Sequence, residues 1–215
     1  ANFTTPILTA TTTYYVQATV SGCLSSRTPV QAVVSPAPQV PVVSDVTICS
    51  GSKASLHATP GPGIFVWYDT PNGGTALILS PDYTTPPLTA NKTYHVQNIR
   101  NGCESALTLV HVTVNQIPSA PGDQLQTTCK GSSILLTASP SPPASGTYEW
   151  YTTATGTTPV ATGLTYQTPV LTANTTYWVL FNNGGCASGR SQISVVINPP
   201  PAAPSVYGAI ICNGS

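Results

Sequence analysis

The sequence predicts an all-β protein in which small two-layer sandwiches follow one another along the chain, and three observations carry that prediction. A phrase of twelve residues is written three times, as TPILTATTTYYV (5–16), TPPLTANKTYHV (85–96) and TPVLTANTTYWV (168–179). The cysteines fall into two alternating classes: Cys23, Cys103 and Cys186 follow a glycine, Cys49, Cys129 and Cys212 precede a short turn (CSGS, CKGS, CNGS), and each class repeats at intervals of 80 and 83 residues. Between these marks, short runs rich in Val, Thr, Tyr and Ile alternate with Gly and Pro clusters, and no window shows the 3.6-residue period of a helix.

A fixed period of this length is the signature of a tandem array. The Pro-rich stretches SPAPQVP, NQIPSAP and NPPPAAP each follow a Val-rich run and read as short, stiff linkers. The expected organisation is therefore the C-terminal half of a module over 1–36, complete modules over 37–118 and 119–201, and the start of another over 202–215. In the first complete module strands are expected at PVVSDVT, KASLHAT, IFVWYD, TALILS, DYTT, TYHVQNI and LTLVHVTV. Seven short strands separated by turn signals are the pattern of an immunoglobulin-like or fibronectin-like sandwich. Trp67 and Trp150 fall on the third strand, where a core aromatic is expected. Strand alternation sends Tyr94 and Val96 to one face and Thr93 and His95 to the other.

The repeated phrase then has a structural job. A Leu, a tight polar turn and Thr-x-Tyr opening the sixth strand suggest a tyrosine corner, in which an inward phenol bonds a backbone group just upstream. Tyr14, Tyr94 and Tyr177 are its candidates.

Taken together, ICSGS, WYD, the GG pair, TTPxLTAxxTYxVxxxxxGCxS and a closing Val-rich strand resemble the tandem Ig-like modules of secreted and cell-surface proteins of Bacteroidota, adhesins among them. The resemblance spans essentially the whole chain. It implies export across the outer membrane and an extracellular or cell-surface location; its motifs identify the module and leave its task open. Six cysteines in a Met-free chain agree with an oxidising compartment.

Two disulfide pairings remain open. One closes within each module, Cys49 with Cys103 and Cys129 with Cys186. The expected strands place those partners at opposite ends of a sandwich, about 20 Å apart, whereas a disulfide needs Cα atoms within about 7 Å. The other joins the first-turn cysteine of one module to the hairpin cysteine of the next, Cys49 with Cys186, and leaves Cys23, Cys103, Cys129 and Cys212 to partners beyond the sequence.

Charged residues are 6% of the chain, six basic against six acidic. Thr, Ser, Asn, Pro and Gly supply the polar surface instead. No electrostatic footprint points to nucleic acid or anionic lipid. No apolar run has the length of a membrane span, and the first residues lack the pattern of a signal peptide, so the N-terminus reads as the edge of a longer chain. Catalysis finds no constellation: the acids do not recur as a close pair, and His57, His95 and His111 give way to Thr137, Trp178 and Ser194 in the next module. No cofactor is implied. The linkers hold too few acids for calcium, and no lysine recurs where an isopeptide crosslink would need it.

Two weaker signals recur. Asn91 and Asn174 lie in N-x-T sequons at the same turn of successive modules, with Asn2 and Asn213 opening others, and read either as glycan acceptors or as turn formers. Tyr15, His95 and Trp178 occupy one position of the repeat and are expected as an exposed aromatic stripe for sugar rings or a neighbouring fibre, or as cross-strand pairs. The expected role is a structural and adhesive segment of a long extracellular protein, a stalk or fibre of Ig-like repeats. Its partners would be neighbouring modules, other copies in a fibre or surface polysaccharide. The alternative is a spacer or carbohydrate-binding region of a secreted polysaccharide-degrading enzyme.

Overall fold

β-branched and aromatic residues at alternate positions place one face of each strand in a core, and the Gly, Pro and Asn clusters between them turn the chain. The computed structural model describes residues 2–139 and 145–208. No helix occurs among them. The chain divides into two units, Ala1–Val114 and Asn115–Ser215.

The first unit opens with β1 (Thr12–Val16), β2 (Thr19–Val20), β3 (Cys23–Leu24) and β4 (Thr28–Ala32). Strands β1 and β4 pair antiparallel with Tyr14 opposite Val30, and β2 and β3 form a small hairpin. The rest of the unit is a sandwich made of β5 (Val46–Cys49), β6 (Ser55–His57), β7 (Ile64–Tyr68), β8 (Ile78–Leu79), β9 (Asp82–Thr84), β10 (Lys92–Arg100), β11 (Cys103–Glu104) and β12 (Thr108–Asn115). One layer runs β5-β12-β10-β7-β8, with β11 folded back on β10; the other is the β6-β9 pair. Leu56, Trp67, Tyr94, Val96, Val110 and Val112 fill the space between the layers.

The second unit repeats the plan. It contains β13 (Gln124–Cys129), β14 (Leu135–Thr137), β15 (Thr147–Tyr151), β16 (Ala161–Thr162), β17 (Thr165–Gln167), β18 (Thr175–Asn183), β19 (Cys186–Ala187) and β20 (Ser191–Asn198). The large layer runs β13-β20-β18-β15-β16 and the small one is β14-β17. Strand β13 lies parallel to β20, with Gln124 opposite Ile193 and Cys129 opposite Asn198. Leu136, Trp150, Tyr177, Val179, Ile193 and Val195 form this core. At about 1.5–3 kcal/mol for each large apolar side chain withdrawn from water, such clusters are the main stabilising term of each sandwich.

The expected first strand, PVVSDVT, is divided between layers. Val42 bridges Thr59 beside β6, whereas β5 begins only at Val46 and joins β12 in the other layer. The crossing is made at Asp45, whose Oδ1 accepts the His111 amide at 2.7 Å. In the second unit the Gly122 amide donates to Ser139 O and Asp123 Oδ1 accepts the Gln192 amide, just before β13. In each unit an aspartate carboxylate takes one place in the ladder while the chain changes layer, a role for these acids that sequence reading missed.

Candidate functional site

The repeated motifs are one another's partners. Thr85 and Thr168, the threonines before proline in the repeated phrase, are buried. Each Oγ1 accepts an amide from the facing strand segment, Ala54 N and Ile134 N at 3.0 Å, and donates to the carbonyl of the next residue, Pro86 or Pro169. Three residues on, the Leu88 and Leu171 amides donate to Ser52 O and Ser132 O, and their carbonyls accept from Gly51 N and Gly131 N. The phrase is thus sewn to the turn that begins at the first-turn cysteine of each domain, Cys49 in CSGS or Cys129 in CKGS. These threonines stand before proline in every copy, the only signal that could have singled them out. Thr168→Val removes both hydrogen bonds while keeping shape, and leaves the Ile134 amide unpaired. It is expected to lower the unfolding free energy by about 1–3 kcal/mol, measured by urea denaturation.

The serine of GCxS is a second recurring anchor. Ser25, Ser105 and Ser188 each accept, at Oγ, the amide of the residue seven earlier, Ala18, Asn98 or Phe181, at 2.9–3.0 Å. At the start of the last strand, Thr108 Oγ1 donates to Pro41 O and Ser191 Oγ to Pro121 O, which fastens each Pro-rich segment to its own sandwich.

Trp67 and Trp150 are fully buried, and their indole N–H groups donate to Ser80 O and Gly163 O at 3.0 and 2.9 Å. Tyr94 and Tyr177 are buried beneath Tyr83 and Tyr166, in edge-on ring contacts of 5.3 and 5.4 Å between centroids. Tyr14 lies half-buried against Phe3, at 5.4 Å. Strand β9 brings a second tyrosine, Tyr83, over the Tyr94 ring. Burial first, then the Tyr83 phenol and the Asp69 carboxylate, push Tyr94 up to about 12. Burial raises Tyr177 as well. An unfolded phenol ionises near 10, so Tyr94's contribution is complete below about pH 10 and is lost as pH rises through about 12; the expected loss is about 2–3 kcal/mol. Urea midpoints measured between about pH 8 and 12 should show this fall, and Tyr94→Phe should remove Tyr94's share of it and leave that of the other buried tyrosines.

The aromatic stripe is not exposed along its length. His95 sits on the central strand β10, opposite Tyr68 on one side and Leu109 on the other, and is only 5% exposed. Its Nδ1 makes no hydrogen bond. Trp178, between Tyr151 and Gln192, is half-buried, and Tyr15 alone is open, at 65%. Sequence alternation assigns His95 to the outer face but says nothing of the flanking strands that cover it. Asn91 and Asn174 are exposed, and each Oδ1 accepts an amide of the last strand, Val114 N at 2.7 Å and Ile197 N at 2.8 Å. That is a turn-forming role; Asn213 lies outside the described residues.

Cys49 and Cys186 are disulfide-bonded, whereas Cys23, Cys103 and Cys129 are free thiols. Cys212 lies outside the described residues. The pairing within modules is therefore overturned, and the register gives the reason. Cys129 stands opposite Asn198 at the far end of β20, while Cys186 precedes the near end of that strand. Eight residues of strand put about 25 Å between those ends, well beyond disulfide reach.

Among the described residues no three side chains of His, Cys, Asp or Glu gather as a metal site. His57 and Asp82 make an exposed pair at 2.6 Å.

No curated protein matches the chain by sequence. Among solved structures, the fibronectin(III)-like modules of Clostridium thermocellum CbhA align with 78% of this chain and 96% of theirs at 12% identity and a TM-score of 0.43. A segment of titin aligns with 87% of this chain and 75% of its own at 15% identity and a TM-score of 0.48. The family described as "Ig-like domain CHU_C associated" matches residues 1–36, 38–115 and 118–199, and the chain belongs to it as a tandem of its domains.

Proposed function

We propose that this tandem of Ig-like domains, a structural or adhesive module, is a length of stalk in a long extracellular surface protein, stiffened where one domain follows the next. The observation that carries the reading is the oxidation state of the cysteines: Cys49 and Cys186 are disulfide-bonded and three others are free. Joining Cys49 to Cys186 staples the first-turn cysteine of one domain to the hairpin cysteine of its successor. The same rule assigns Cys103 to the domain before and Cys129 to the domain after. A disulfide also favours an oxidising, extracellular setting. A chain with only 6% charged residues presents a surface whose character depends little on salt concentration. Neighbouring domains are the first partners of each module, and further copies or surface polysaccharide would meet the assembled stalk.

Two measurements test this. Non-reducing peptide mapping is expected to yield one crosslinked species containing Cys49 and Cys186; a peptide linking Cys49 to Cys103 would end the junction staple. Small-angle scattering of the chain before and after reduction is expected to show a longer, narrower distance distribution in the oxidised protein. Superimposable profiles would remove the stiffening role.

A further inference from the structure

The two complete domains differ at an outer-face cleft that an arginine of the second domain fills. In the second domain Arg190, directly before β20, lays its guanidinium over the Tyr151 ring, with Cζ 3.6 Å from the ring centroid. Its Nη1 donates to the carbonyls of Thr153 and Ala154 at 3.1 and 2.6 Å, and its other terminal nitrogen donates to Gly156 O. The loop after β15 is closed around a cation that the domain supplies itself.

The position four residues after the hairpin cysteine is Arg27 in the first segment, Leu107 in the first complete domain and Arg190 in the second. Where leucine stands, a cleft of about 490 Å³ is open, lined by Tyr68, Gly73, Gly74, Gln97, Glu104 and Leu107 with the adjoining loop residues. Tyr68 is the counterpart of Tyr151, and Thr70, Pro71 and Gly73 are those of Thr153, Ala154 and Gly156. The phenol of Tyr68 accepts from Gln97 Nε2 at 3.0 Å, so its ring is held in place. Gly73 O accepts from Thr70 Oγ1 and keeps a second lone pair.

One further substitution tracks the missing arginine. The residue after the hairpin cysteine is Leu24 and Ala187 in the two segments that carry Arg, and Glu104 in the one that does not. The domain without an internal cation thus has a carboxylate at the rim of its cleft. Glu104 makes no ion pair among the described residues.

We propose that this cleft binds an arginine side chain presented by another polypeptide, its guanidinium stacked on Tyr68 between the β7–β8 loop carbonyls and the Glu104 carboxylate. A planar cation with donors in a fixed fork suits a ring face, several carbonyls and a carboxylate together, and the compact ammonium of lysine suits them less well.

The test uses the full ¹⁵N-labelled chain titrated with N-acetyl-arginine amide, followed through the amides of Gly73 and Gly74 and the Gln97 side-chain NH₂. Saturable shifts with a dissociation constant of roughly 1–10 mM are expected, the range open to a ligand of this size. N-acetyl-lysine amide should bind at least about fivefold more weakly. Leu107→Arg, which restores the internal cation, should abolish the shifts, and Glu104→Ala should weaken binding by at least about fivefold. Shifts that stay linear to about 50 mM, equal binding of the lysine analogue, or unchanged binding in Leu107→Arg would each overturn the proposal. The Leu107→Arg chain is expected to keep its unfolding midpoint or raise it, which separates a filled cleft from a damaged fold.

Discussion

Trp150→Ala is expected to unfold the second domain at a midpoint at least about 12 °C lower than in the unaltered chain. The indole is fully buried at the centre of a cluster that includes Leu136, Tyr177, Val179 and Ile193, so its removal leaves a cavity bounded by both layers. It also strips the Gly163 carbonyl of the indole donor at 2.9 Å. Large-to-small changes at such sites cost about 3–5 kcal/mol. In a domain of this size each kcal/mol moves the midpoint by about 4–8 °C. Differential scanning calorimetry is the measurement, with the first domain's own transition as an internal reference. Trp178→Ala, at a half-buried position in the same strand layer, should cost no more than about 1.5 kcal/mol. If the two replacements cost the same, the assignment of Trp150 as the keystone of its core is wrong.

Gly146→Ala is expected to destabilise the same domain by about 2–5 kcal/mol, from two causes that can be separated. Gly146 has φ +111°, a conformation that side chains other than hydrogen rarely adopt. A Cβ there would lie 2.5 Å from Phe181 Cζ and 2.7 Å from the Asn182 carbonyl oxygen. The phenyl ring can swing away; the carbonyl belongs to β18 and cannot. In the Phe181→Ala background the Gly146→Ala penalty should fall by about 1–2 kcal/mol and still remain, because the backbone strain and the carbonyl contact persist. A penalty under about 0.5 kcal/mol in both backgrounds would mean that the loop entering β15 accommodates a side chain freely.

The sequence made the class of fold and its repetition legible because both rest on periodic signals. Alternating Val, Thr and Tyr read as strands, the phrase TPxLTAxxTYxV recurs, and Trp67 and Trp150 share one place in the repeat. What escaped depends on neighbours distant in the chain. PVVSDVT reads as one strand because its valines flank a short polar pair, yet the layer change at Asp45 depends on the His111 amide it meets. Alternation assigns His95 a face and not what lies beside it; Tyr68 and Leu109 flank it on the neighbouring strands, and it is buried. Nothing local to the repeated phrase shows that Tyr83 arrives above the Tyr94 ring. Thr85, Thr168 and the GCxS serines were in plain view within repeated motifs, but a buried hydroxyl and a solvated one are spelled alike. The difference between Leu107 and its arginine counterparts gained meaning only once Arg190 was seen lying on Tyr151.

The parallel seam between β13 and β20 has a consequence for a chain under tension. Because these are the first and last strands of their domain and run the same way, a pull on the two chain ends enters at one extremity of the seam and leaves at the other. All six residue pairs, from Gln124–Ile193 to Cys129–Asn198, then bear the load together. An antiparallel pair gripped at neighbouring ends would surrender its rungs one at a time. Hydrogen bonds worth only about 1 kcal/mol apiece thereby act as a shear clamp, and the domain should yield abruptly at high force instead of peeling open.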